Sequence, residues 1–178
     1  MKMIRIISKG VTKNLVVTLV VVAALAACTK EKPKEAVLTA TPTTKVVTNG
    51  MPKLTLTLAD GSHVAMPDLE GKVLLVCYNP GCDHCQREAK LLSENKNILE
   101  GYEVYFLTPD ASEEATKFQK EYKLTDPNVH FVRAEVPEII QALGPITNVP
   151  TFFVYQDKTL VKRLEGEVPI TDLQKAMQ

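Results

Sequence analysis

The sequence has no tryptophan, only four cysteines, and no apolar run long enough to span a bilayer among its 178 residues. The lack of tryptophan excludes a tryptophan-based stacking platform. Lysine and arginine number 21, the same as aspartate and glutamate, so the charge balance gives no reason to expect nucleic-acid binding. So few cysteines also exclude a small scaffold held together by several disulfides. Apolar residues make up 45% of the chain, which is typical of a globular protein and argues against wholesale disorder.

The N-terminal part of the chain has the composition of an export signal. Residues 1–13 are basic, and residues 15–27 form a short apolar stretch that ends in small residues. This order is typical of a secretory signal peptide, and at about 1.5 Å per residue the apolar stretch is too short to cross a bilayer comfortably. We therefore assign residues 1–27 to a signal peptide and expect an extracytoplasmic protein.

The end of this segment, LAAC at residues 25–28, resembles the lipobox of bacterial lipoproteins. The resemblance implies cleavage before Cys28, lipidation of its thiol and anchoring to a membrane on the periplasmic side, because two or more acyl chains give stable attachment. Residues 28–51 are then the lipidated cysteine and a flexible tether rich in polar residues and proline. A secreted protein with a free Cys28 and an uncleaved anchor helix are the alternatives.

Hydrophobic periodicity and turn residues organise residues 52–178 into one α/β domain. A continuous apolar run at residues 72–78 is typical of a strand buried on both faces. Strands that alternate with helices predict a central mixed β-sheet flanked by helices, here with an extra N-terminal β-hairpin. The predicted strands are residues 54–58, 64–66, 72–78, 103–108, 129–134, 151–155 and 160–164, and the predicted helices are residues 82–95, 112–122, 137–143 and 170–177.

Two cysteines, Cys82 and Cys85, lie where a predicted strand gives way to a predicted helix. A thiol at a helix N-terminus faces unpaired backbone N–H groups and the positive end of the helix dipole, which stabilise its thiolate. Cys85 follows one turn later, so it can attack a mixed disulfide on Cys82 and release the bound partner. This spacing predicts a redox-active Cys82–Cys85 disulfide, with Cys82 as nucleophile and Cys85 as resolving thiol, and requires no separate cofactor.

A hydrophobic-Pro-Thr sequence at residues 149–151 precedes another predicted strand, far along the chain from the cysteines. Together with the CxxC after a strand it resembles the thioredoxin superfamily, and the lipid anchor and leading hairpin resemble TlpA-like membrane-tethered thiol-disulfide oxidoreductases. The resemblance implies a thioredoxin-like fold, a cis Pro150 facing the thiols, and pairing of the Val149 backbone with a substrate polypeptide. It also implies reduction of protein disulfides, as in cytochrome c maturation, with electrons from a membrane donor or a thioredoxin-like relay.

Three departures from thioredoxin bear on the chemistry of the thiols. His84 occupies the place of the histidine in the DsbA-type CPHC motif, where it can stabilise the Cys82 thiolate and make the pair more oxidising. Asp83 opposes this effect by like-charge repulsion. Val76 stands where thioredoxin has a buried acid that helps to move protons, so efficient proton transfer is not implied. We expect a reduction potential between the thioredoxin and DsbA extremes.

Other roles for Cys82 and Cys85 are supported by fewer residues of the sequence than disulfide exchange is. A structural disulfide across so small a loop would add little stability, and zinc would need two further ligands. Copper delivery by the two thiols with a distant histidine such as His130 stays open, although families of that kind carry CxxxC. A peroxiredoxin-like peroxidase also stays open, although Asn79 and Leu75 stand where that family has Thr and Pro, and a tethered binding module is the non-enzymatic alternative. We assign Cys77 to the core and His63 to the solvent.

Overall fold

Strands and helices alternate along the chain in the predicted order. The computed structural model of the protein describes residues 50–110 and 112–178, so the proposed signal peptide, Cys28 and nearly all of the tether lie outside the described residues. The strands are β1 (Thr55–Leu58), β2 (His63–Ala65), β3 (Lys72–Cys77), β4 (Glu103–Thr108), β5 (Val129–Arg133), β6 (Thr151–Gln156) and β7 (Thr159–Glu165). The helices are α1 (Asp83–Glu94), α2 (Ser112–Glu121), α3 (Val136–Leu143) and α4 (Ile170–Ala176).

The seven strands of the described residues form one sheet in the order β2-β1-β5-β4-β3-β6-β7. Strand β4 runs parallel to both β3 and β5, while β3 pairs antiparallel with β6. The N-terminal hairpin consists of β1 and β2, and β1 extends the sheet by pairing with β5. Gly61 in the hairpin turn has a φ of 83°, a conformation that favours glycine. This architecture confirms the predicted mixed sheet with helices on its faces and an extra hairpin.

Strand β3 lies in the middle of the core and is covered on both faces. Leu74 and Val76 pack in a cluster that contains residues of α1, α2 and α4, whereas Leu75 and Cys77 pack in a second cluster with Ile139 of α3. The two clusters alternate along β3 because successive side chains of a strand point to opposite faces. The carboxyl end of β3 therefore emerges between two layers of helices, which is where open α/β sheets form their binding sites.

The ends of the elements differ from the prediction by no more than one residue. Met66, predicted as the last residue of β2, instead begins a 3₁₀ turn, Met66–Asp68, because Pro67 has no N–H with which to continue the strand ladder. A second 3₁₀ turn, Lys96–Leu99, follows α1 and was not predicted. Across residues 50–110 and 112–178, no helix is long and apolar enough to cross a membrane.

Candidate active site

The loop from β3 to α1 is held by the side chain and backbone of Asn79. The Asn79 Oδ1 atom accepts a hydrogen bond from the Gly81 N–H at 2.8 Å, and the Asn79 carbonyl accepts one from the Cys82 N–H at 3.1 Å. The Asn79 Nδ2 atom donates to Asp110 Oδ2 at 3.2 Å, which ties the loop to the chain that follows β4. These bonds leave Cys82 with an extended backbone as the N-cap of α1, at the positive end of the helix dipole.

The two thiols differ sharply in environment. Cys82 is partly exposed, whereas Cys85 is only 2% exposed, and both are free thiols that share a hydrogen bond. The Cys85 Sγ atom also accepts the Asn79 N–H at 3.5 Å. Burial raises the pKa of the Cys85 thiol to about 12, and the nearby Cys82 and Glu88 add to the increase. An external disulfide can therefore reach Cys82 first, while Cys85 remains protonated in the resting protein.

The segment before β6 places backbone beside the exposed thiol. The Val149–Pro150 peptide bond is cis, and the Val149 carbonyl oxygen lies 3.9 Å from Cys82 Sγ. The Thr151 hydroxyl donates to the Asn148 carbonyl and so holds the turn that presents Val149. A polypeptide bound to Cys82 would thus lie next to a short length of backbone that can pair with it.

From the sequence alone, the charged residue Glu88 of α1 is expected to face water. That prediction is wrong: Glu88 is 3% exposed, because the chain that leads into α4 covers it and the Val168 N–H donates to its Oε2 atom at 3.2 Å. Its Oε1 atom has no hydrogen-bond partner among the described residues. The spacing of residues along α1 did indicate that Glu88 would be buried. One face of the helix contains all four of its buried residues, Cys85, Glu88, Ala89 and Leu92.

Burial raises the pKa of the Glu88 carboxyl to about 7 from an ordinary value of 4.5, despite the opposing hydrogen bond from Val168. A buried carboxyl that titrates near neutrality beside Cys85 can take a proton from that thiol or return one. Glu88 is therefore the candidate, located on a helix, for the buried acid that Val76 does not provide on the strand.

Replacing Glu88 by glutamine should remove a pH dependence of stability. A raised folded-state pKa favours the folded protein while the group is protonated, so the parent should lose stability as the pH rises from about 4.5 to about 7. The Glu88→Gln variant should lack this loss and gain roughly 1–3 kcal/mol relative to the parent between about pH 4 and pH 8. Urea unfolding at about pH 4 and about pH 8 measures the free energy of unfolding of each protein. The exposed Glu94→Gln on the same helix is the control, and equal pH slopes in all three proteins would contradict the assignment.

A charged cluster joins the start of α1 to the chain between β7 and α4. The Nδ1 atom of His84 lies 2.8 Å from Glu167 Oε2 and 2.8 Å from Arg87 Nη2. Arg87 donates to both oxygens of Glu167, through Nε at 2.5 Å and through Nη2 at 3.1 Å. These bonds, with Arg87 making the larger contribution, lower the pKa of Glu167 to about 2. No motif points to Glu167, which lies in a loop 83 residues along the chain from His84.

An apolar groove of about 330 Å³ lies on the α3 side of the thiols. Two of its rim residues, Val136 and Ile140, are each 49% exposed, which is unusual for large apolar side chains. We call this feature the apolar groove; its lining residues are Cys77, Tyr78, Asn79, Leu107, Pro109, Val136, Ile139, Ile140, Pro145, Ile146 and Val149. Because Val149 lines the groove and also contacts Cys82, the groove is continuous with the thiol site.

The remaining candidate residues lie away from the two thiols. Cys77 is 5% exposed in the cluster on the opposite face of β3, and burial raises the pKa of its thiol to about 12. His63 is exposed beside Thr57, and the Nε2 atom of His130 lies 2.8 Å from Glu103 Oε2. In the part of the chain that the structure describes, no three His, Cys, Asp or Glu side chains are grouped as a metal site requires. A copper site there would depend on the paired thiols alone.

Comparison with known proteins agrees with this geometry. The model of the AhpC/TSA family matches residues 47–163, a range that includes both thiols and Val149–Pro150. No curated protein is similar enough in sequence to count as a match.

Several solved structures share the fold at low sequence identity. A secreted disulfide oxidoreductase of Mycobacterium tuberculosis, homologous to DsbE of E. coli, is 16% identical with a TM-score of 0.60, over 70% of this chain and 94% of that one. The thioredoxin domain of a thiol-disulfide oxidoreductase from Bacteroides vulgatus is 21% identical with a TM-score of 0.58, over 72% and 96%. A peroxiredoxin-like protein from Aquifex aeolicus is 11% identical with a TM-score of 0.59, over 72% and 84%. These similarities confirm the thioredoxin-like fold.

Proposed function

The chain belongs to the AhpC/TSA family, and we propose that it is a thiol-disulfide oxidoreductase that reduces disulfides of extracytoplasmic proteins. One observation carries this proposal: the partly exposed Cys82 begins α1, and it contacts both the buried Cys85 and the Val149 carbonyl oxygen. An accessible thiol at a helix N-terminus is a nucleophile, and a buried thiol one turn away is suited to resolve the intermediate. The reductase direction follows the resemblance to TlpA-like proteins.

In the proposed reaction, electrons pass only between sulfur atoms of the protein and of the substrate. The Cys82 thiolate attacks one sulfur of the substrate disulfide, forms a mixed disulfide and expels the other substrate sulfur as a thiolate, which takes up a proton. Glu88 accepts the proton of Cys85, whose thiolate then attacks Cys82 Sγ and expels the second substrate sulfur as a thiolate, which also takes up a proton. The substrate leaves as a dithiol, and the protein is left with a Cys82–Cys85 disulfide. A membrane electron donor or a thioredoxin-like relay returns two electrons and two protons.

The substrate polypeptide lies along the Val149 backbone, with an apolar side chain in the apolar groove. Backbone pairing beside Cys82 fixes the direction of the polypeptide, and a side chain in the groove fixes its position. No charged side chain lines the groove, so it suits a substrate whose disulfide has apolar neighbours. Such neighbours are exposed mainly in unfolded or partly folded proteins, which are therefore the proposed substrates.

We assign the site of action to the extracytoplasmic, periplasmic side of a membrane through a lipid on Cys28. The support for this assignment is the order of basic residues, apolar stretch and LAAC sequence in residues 1–28. Replacing Cys28 by alanine should abolish incorporation of labelled palmitate in a bacterial host and release the protein from the membrane fraction. Unchanged size and unchanged membrane association of the Cys28→Ala variant would contradict the lipid anchor.

A peroxidase is the second candidate, favoured by the family match and by the fold shared with a peroxiredoxin-like protein. The surroundings of Cys82 favour disulfide exchange instead. The Asn79 carboxamide, at the position where peroxiredoxins have Thr, holds the loop before Cys82 through the Gly81 N–H and Asp110, and the buried Cys85 thiol beside Cys82 is suited to resolve a mixed disulfide.

One assay separates the two candidates. With dithiothreitol as reductant, the protein should accelerate the reduction of insulin disulfides, and it should consume hydrogen peroxide no faster than the Cys82→Ser variant does. A Cys82-dependent peroxide consumption whose kcat/KM exceeds that for insulin would favour the peroxidase and overturn the proposed function.

A further inference from the structure

We propose that Glu167 keeps the Cys82–Cys85 pair reducing by neutralising the positive charge of Arg87 and binding the imidazole of His84 beside the Cys82 thiolate. This inference rests on the proposed function. It names one residue that makes the protein a reductant of disulfides rather than an oxidant of thiols. A histidine between the two cysteines would by itself favour an oxidant. Glu167 opposes this tendency from a separate part of the fold.

The first support is the geometry of the cluster. Arg87 donates two hydrogen bonds to the carboxylate of Glu167, and His84 Nδ1 lies 2.8 Å from the same carboxylate. Both basic side chains project from the first turns of α1, which Cys82 begins. Glu167 thus holds the two side chains toward the loop between β7 and α4 rather than leaving them free to approach the Cys82 sulfur.

The second support is the balance of charge around Cys82. Arg87 lies near enough for its positive charge to interact with the Cys82 thiolate. The hydrogen bonds from Arg87 and His84 lower the pKa of Glu167 to about 2, so its carboxylate is ionised at neutral pH. Asp83 is exposed in the first turn of α1. With Glu167 in place, the local charge from Asp83, His84, Arg87 and Glu167 is close to zero or negative.

Removal of the Glu167 charge has a defined sign. Uncompensated cations next to Cys82 stabilise the thiolate, and the thiolate exists only in the reduced form of the pair. A more stable reduced form means a higher reduction potential and a more oxidising protein. The Glu167→Gln variant should therefore shift the equilibrium with glutathione toward the reduced protein by about tenfold, which corresponds to about 30 mV for this two-electron couple.

The experiment measures the reduced fraction of the pair across a series of glutathione ratios by alkylation and mass spectrometry. Glu103→Gln is the matched control, because Glu103 also lies 2.8 Å from a histidine, His130, but at the opposite end of β4 from the thiol site. The Glu167→Asp variant keeps the charge and should restore most of the parent equilibrium. Arg87→Gln should move the equilibrium in the opposite direction, and it provides a second test should Glu167→Gln fail to fold.

Salt provides a readout that a purely structural role would not move. The side chains of His84, Arg87 and Glu167 are 60%, 55% and 39% exposed, so ions in solution can screen their charges. The difference between the parent and Glu167→Gln should fall by at least about half from low salt to about 1 M salt. The rate at which iodoacetamide modifies Cys82 at mildly acidic pH should be higher in Glu167→Gln, because a larger fraction of Cys82 is thiolate.

Several results would overturn the inference. One is a change of less than about twofold in the glutathione equilibrium of Glu167→Gln relative to the parent. The others are an equal shift in Glu103→Gln and a shift in Glu167→Gln that is the same at low and high salt. If the cysteine pair forms its disulfide normally but the Glu167→Gln substitution leaves its equilibrium with glutathione unchanged, only the inference is overturned. Failure of the parent to form a Cys82–Cys85 disulfide at any glutathione ratio would overturn the proposed function, and the inference with it.

Discussion

Replacing Cys82 by serine should abolish turnover of disulfide substrates, with a loss on the order of a thousandfold or more in the rate of insulin reduction, because no other exposed thiol remains in the described residues to make the first attack. Cys85 is 2% exposed and Cys77 is 5% exposed, so neither can replace the nucleophile. The loss should appear in turnover of both insulin and a small aromatic disulfide, because it removes the attacking atom rather than a binding contact.

The Cys85→Ser variant is the natural comparison, since it retains the nucleophile but lacks the resolving thiol. It should react once with a small aromatic disulfide and then stop, whereas Cys82→Ser should not react at all. Substantial turnover by Cys82→Ser would show that another thiol begins the reaction and would contradict the assignment of roles.

Replacing Ile140 by aspartate should lower kcat/KM for unfolded protein disulfides by roughly ten- to a hundredfold, because the apolar groove would then bury a charge without a partner when substrate binds. The rate with a small aromatic disulfide should hardly change, since that substrate does not extend into the groove. This difference separates a defect in binding from damage to the thiols.

Val161→Asp is the matched control for this substitution. Val161 is 45% exposed on β7, close to the 49% exposure of Ile140, but it does not line the apolar groove. The control should reduce both substrates at the parent rate. Equal losses in the two variants, or an equal loss of Ile140→Asp on both substrates, would contradict a substrate-binding role for the groove.

Local pattern was enough to predict the framework of the site. The apolar run of β3 predicts a strand buried on both faces, and the cysteines at its end predict thiols at the start of a helix. Turn residues place the boundaries within one residue, because Gly and Pro restrict where strands and helices can end. The thioredoxin-like fold was implied by a resemblance to the thioredoxin superfamily, carried by the CxxC after a strand and the distant Val149–Pro150 sequence.

The residues that the sequence did not reveal depend on contacts between distant segments. Glu88 falls on the buried stripe of α1, but glutamate is usually exposed, and only a segment 80 residues later covers it. Glu167 reaches His84 and Arg87 from a loop that carries no motif. The apolar groove depends on how α3 packs against the end of β3, which hydrophobic periodicity does not specify.

The most direct test of the central claim is to capture the mixed disulfide. The Cys85→Ala variant, incubated with disulfide-bonded insulin and then quenched with acid, should carry one insulin molecule bound through Cys82, and dithiothreitol should release it. Mass spectrometry of the digested adduct identifies the linked cysteine. An adduct at Cys77, or none under conditions in which the parent reduces insulin, would contradict the account of Cys82 as the attacking thiol and Cys85 as the thiol that completes the exchange.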